Sequence, residues 1–138
     1  MMRLPQRVPY LQTITILWGL YALVWIPFEG HLVFVVSMAV SSTAVLCLHL
    51  LQRPSNLVFH KLWQWLTFAT MAGIVVGLTA VGLTLMFMAL KTGLHNHGPE
   101  FTLEEIQWVI QQLPNWSIIG AFMGAGLGLI SAGMRSSS

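Results

Sequence analysis

The chain has 138 residues, 56% of them hydrophobic and 7% charged, with a mean hydropathy of +0.75. A soluble domain carries about 25% charge, so a soluble globular fold is excluded, and a single polytopic membrane domain over residues 1–138 is expected. Six basic against four acidic residues are too few to build a nucleic-acid surface, and the lone Cys47 excludes an intramolecular disulfide.

The chain divides at its charges. After Arg3 and Arg7, residues 10–28 run without charge and predict a first transmembrane helix. No small-residue cleavage site follows, so the segment reads as a retained helix and not a removed signal. Pro27 and the turn Phe28-Glu29-Gly30-His31 lead into residues 32–51, a second charge-free span antiparallel to the first. Arg53-Pro54 breaks that helix, and Ser55 or Asn56 is suited to cap a new one. Trp63, Gln64 and Trp65 suit the headgroup region, and residues 66–90 supply a third span longer than a perpendicular crossing needs.

The long connection that follows carries a helix of its own. Thr102 and Glu105 have the spacing of a capping box, and Phe101 with Ile106 that of a hydrophobic staple. Leu103, Ile106, Val109, Ile110 and Leu113 share one face, which predicts a short amphipathic interfacial helix over about 102–113. Pro114 and Asn115 end it, and residues 116–134 form the fourth span. The expected fold is therefore all-α: four transmembrane helices in two hairpins, with the interfacial helix between the third and fourth.

With four spans, Arg3, Arg7, Arg53, Lys61 and Arg135 fall on one side, and Lys91 stands opposite with Glu29, Glu100, Glu104 and Glu105. The positive-inside rule then puts both termini in the cytoplasm or on the stroma-like side of an internal membrane; the host membrane is the plasma membrane or an internal energy-transducing one.

Small residues mark where helices approach closely. Gly73 and Gly77 form a GxxxG in the third span, and Gly120, Gly124, Gly128 and Ala132 recur every four residues in the fourth. These rows suit packing of the two helices within one subunit, or self-association and docking to a larger partner. Trp18, Tyr21, Trp25 and Phe28, spaced 3, 4 and 3, form an aromatic stripe on the first span that suits partner or lipid contact.

Candidate chemistry is sparse. There is no Asp, and no Lys, Arg or Glu lies inside any predicted span, which argues against an ion-coupled transporter. His95 and His97 with Glu100 have the donor types of a zinc or copper site, although a solvated turn uses the same residues. His49 and His60 are the candidate axial ligands of a haem or pigment. No nucleophile, general base or phosphate loop can be assembled, so an enzyme is not expected.

The function expected is a small accessory, assembly or structural subunit of a larger membrane complex, bound to the lipid bilayer and to no nucleic acid. One alternative is a homo-oligomeric channel or transporter built on the glycine-rich helices. A second is a carrier of haem, pigment or a divalent metal.

Overall fold

The computed structural model of the protein describes residues 2–3, 9–27, 31–52, 58–94 and 100–136. In chain order these form β1 (Met2–Arg3), α1 (Leu11–Trp25), α2 (Leu32–Leu51), β2 (Val58–Phe59), α3 (Leu62–Leu94), α4 (Leu103–Gln111) and α5 (Leu113–Ser136). Among the described residues the regular structure is thus helical apart from one short antiparallel pairing, Met2 with Phe59 and Arg3 with Val58.

Three stretches, Leu32–Leu51, Leu62–Leu94 and Leu103–Met134, are long and apolar enough to cross a membrane. The first predicted span is shorter than expected. Tyr10, left-handed at φ 58°, precedes α1, and the helix stops at Trp25 after 15 residues. Pro27 explains the early end, because it has no N–H to donate back to the preceding turn. At 1.5 Å per residue α1 is about 22 Å long, against about 30 Å for a hydrocarbon core.

Other boundaries move as well. Helix α3 begins at Leu62, not at Ser55 or Asn56, because Val58 and Phe59 are drawn into the pairing with the N-terminal segment. The Gln64 side chain accepts the Lys61 N–H at 3.3 Å, satisfying a donor at the helix start. At its other end α3 continues past Leu90 to Leu94, which puts Lys91 in the last helical turn and not in a loop. Helix α5 starts at Leu113, three residues earlier than the predicted span, with Pro114 in its first turn, where a missing N–H costs nothing. Only Gln112 separates α4 from α5, and its carbonyl accepts the Trp116 N–H at 2.9 Å.

The capping box of α4 is formed. Thr102 Oγ1 accepts the Glu105 N–H at 3.2 Å, and the Glu105 carboxylate accepts the Thr102 N–H at 2.8 Å. The apolar face of α4 is divided between two environments. Val109 is buried and Ile106 packs on the core, whereas Leu103 and Ile110 are exposed.

Side-chain partners give the helix directions. Thr15 meets His49 and Tyr21 meets Ser37, so α1 and α2 are antiparallel. Trp65 meets Gly128 while Gly77 meets Trp116, so α3 and α5 are antiparallel too. Lys91 joins the C-terminal ends of α1 and α3. One end of the molecule therefore gathers the starts of α1 and α3 with the ends of α2 and α5, and β1 pairs with β2 close to it. The core, Trp25, Val35, Met38, Ala39, Val81, Phe87, Met88, Phe101 and Val109, lies towards the opposite end, beneath α4.

Candidate functional site

The interior polar groups are where chemistry would have to reside. Hydroxyls within the apolar helices are returned to their own backbone. Ser42 donates to Met38 O at 2.6 Å, Thr43 to Ala39 O at 2.8 Å, Thr70 to Leu66 O at 2.8 Å and Thr84 to Ala80 O at 2.8 Å. Such bonds satisfy a polar side chain in an apolar medium without a partner helix.

Other polar groups tie helices together. Thr15 donates its hydroxyl hydrogen to Leu11 O at 2.8 Å, so at the 2.9 Å contact with His49 it is the imidazole Nε2–H that donates. Ser37 likewise donates to Phe34 O at 3.0 Å, so the Tyr21 hydroxyl donates to Ser37 across 2.9 Å. Both bonds join α1 to α2. Between α3 and α5, the Trp65 indole N–H is shared by Gly128 O at 2.9 Å and Ser131 Oγ at 3.0 Å.

The glycines of α3 and α5 lie against each other. A Cβ on Gly73 would overlap the Gly120 carbonyl, one on Gly77 the Trp116 carbonyl, and one on Gly124 the Ala69 carbonyl. A Cβ on Gly128 would lie 3.0 Å from the Ala69 methyl. The two rows therefore meet as a single contact, and neither is left over for another chain. Ala132, part-buried, continues the α5 row by one turn.

Of the aromatic stripe of α1, Trp18 and Trp25 turn inward. Trp25 is 5% exposed and meets Phe87 edge-on, with ring centroids 5.6 Å apart. Trp18 packs on the core with its indole nitrogen buried and without a hydrogen-bond partner. The Tyr21 ring is partly exposed, and its hydroxyl is held by Ser37. Phe28 lies outside the described residues.

The most unusual group is Lys91. Its side chain has 0% exposure, the ammonium donates to Trp25 O at 3.0 Å and Ile26 O at 2.8 Å, and Nζ sits 4.4 Å from the centre of the Trp25 ring. These are the last carbonyls of α1, which have no helical partners ahead of them and carry the negative end of the helix dipole. The ring face adds a cation–π attraction, and the Glu100 carboxylate acts coulombically on the same ammonium. Sequence reasoning counted Lys91 only as an exception to the charge split. A cation immediately after 25 charge-free residues, alone among acids, was the available sign that it had a partner.

Among the described residues no group of three or more His, Cys, Asp or Glu is placed to hold a metal ion. His49 uses Nε2 as a donor to Thr15, and His60 is exposed between β2 and α3. His95 and His97 lie outside the described residues; Glu100 is part-buried beside Lys91. Where α2, α3, α4 and α5 meet, a cavity of about 10 Å³ is lined by Val36, Val81, Thr84, Trp108, Val109, Gln112 and Trp116. That is room for one water molecule and not for a substrate. Compared with known proteins, the chain matches no family model, no curated protein and no solved structure.

Proposed function

We propose that the chain is a four-span membrane protein, with both termini on the cytoplasmic or stroma-like side, that serves as a small accessory, assembly or structural subunit of a larger membrane complex. In this reading α1 also crosses the membrane, short and set against α2, and α4 lies at the membrane surface opposite the termini with Leu103 and Ile110 towards lipid. The protein has no catalytic activity and no cofactor of its own.

One observation carries the proposal. Hydroxyls inside the helices, such as those of Thr43 and Thr84, bond to their own backbone, and His49, Tyr21, Trp65 and Lys91 bond across α1–α2, α3–α5 and α1–α3. What faces outward on α5 is apolar, including Ile119, Phe122, Met123, Leu127 and Ile130. A chain built in this way offers lipid or another protein a surface to contact and offers a solute no pathway.

The test is mild detergent extraction followed by native sizing, mass spectrometry of what co-purifies, and an absorption spectrum. Stoichiometric companion proteins with a colourless sample are expected. A pure homo-oligomer would replace this reading with the channel, and a visible absorption band would replace it with the haem or pigment carrier.

A further inference from the structure

We infer that Lys91 is a latch that holds α1 in the molecule, and that α1 is an element able to detach while α3 and α5 stay together. A helix that ends within an apolar medium leaves carbonyl oxygens without donors, and each such group costs several kcal/mol in lipid. Helix α1 ends early, at Trp25, and the Lys91 ammonium reaches the carbonyls of both Trp25 and Ile26.

Apart from these bonds, α1 is held by Trp18 and Trp25, which pack on the core, and by buried Leu11. The two side-chain hydrogen bonds of α1 to α2, from Tyr21 and to Thr15, lie on exposed surface, and Ile16, Leu17, Leu20, Leu23 and Val24 face outward. Helices α3 and α5 are closed by interlocking backbone and by the Trp65 bond, none of which involves α1. The two docking systems are therefore separate.

The same pairing answers why a lone cation sits on the acidic side. A lysine buried without partners is costly, and here the ammonium donates to two carbonyls and lies over a ring. Lys91 lies 66 and 65 residues after the carbonyls it holds, so α1 and α2 are made before the latch exists and α1 is fastened only when α3 is complete.

The test uses the full chain in lipid bilayers and reads amide hydrogen exchange. Lys91→Met should speed exchange at Trp25 and Ile26 at least tenfold, with the amides of Gly73 and Gly120 within twofold of wild type. Lys91→Arg, a cation of similar reach, should stay near wild type. Unchanged exchange in α1 would overturn the latch, and so would equal acceleration in α1 and α5, which would make Lys91 a support of the whole fold. If the Met variant does not accumulate, the wild-type protein decides. An amine-acetylating reagent should modify Lys91 at least tenfold more slowly than the exposed Lys61, and equal rates would overturn the proposal.

Discussion

Glycine at 73 and glycine at 82 stand on the same helix and face opposite circumstances. A methyl at Gly73 meets the Gly120 carbonyl, which is backbone and cannot rotate away, whereas a methyl at Gly82 meets nothing within 4 Å. Gly73→Ala should therefore cost about 1–3 kcal/mol by overpacking, while Gly82→Ala should gain up to about 1 kcal/mol from helix propensity. Unfolding by denaturing detergent checks both, as a lowered midpoint for the first and a level or raised one for the second. Equal midpoints would contradict the close approach of α3 and α5. The GxxxG spacing of Gly73 and Gly77 was legible in the sequence, and so was the α5 row as its partner, but spacing did not decide between that helix and another chain, because a flat helix face looks the same whichever helix it meets.

Helix α4 shows how local signals can be read fully and still leave an element's environment open. Thr102 and Glu105 close the capping box, a bond set made within four consecutive residues and so dictated by their spacing. Thr102→Ala should cost roughly 1 kcal/mol, confined to α4. Amide exchange at Glu105 and Ile106 should rise about fivefold, with α3 and α5 unaffected; a change spread through α5 would show that α4 and α5 unfold as one unit across Gln112. The apolar face of α4, by contrast, was expected to lie on the membrane as a whole. Val109 instead goes into the core, while Leu103 and Ile110 stay outside, because α3 and α5 reach only part of that face. The lengths of α1 and α3 were misjudged for a related reason. Counting uncharged residues measures where charge is absent, and a helix ends where backbone donors or partners run out, at Pro27 for α1 and after Leu94 for α3.

For the molecule as a whole, the testable property is its orientation. The helix directions bring β1, with Arg3, and the end of α5, with Arg135, to one end of the structure, where α3 also begins beside Lys61. A C-terminal reporter that is active only outside the cytoplasm should stay silent, and one that fluoresces in the cytoplasm should be bright. The reverse pattern would remove one crossing, and α1, about 22 Å long, is the helix that would be lost.

Composition and charge spacing by themselves determined the class of protein, the run of apolar helices and the capped helix before α5. These follow from hydropathy and from contacts between near neighbours in the chain. Only the tertiary structure decided that the glycine rows of α3 and α5 spend themselves on each other, that Trp18 and Trp25 of the aromatic stripe turn inward, and that Lys91 is buried on the carbonyls of Trp25 and Ile26. The glycine contacts join residues 39 or more positions apart, and the Lys91 bonds residues 65 and 66 apart. In a chain whose helices are apolar on every side, periodicity carries no record of which face meets which, and the choice rests on shape and on the few polar groups that must find donors and acceptors.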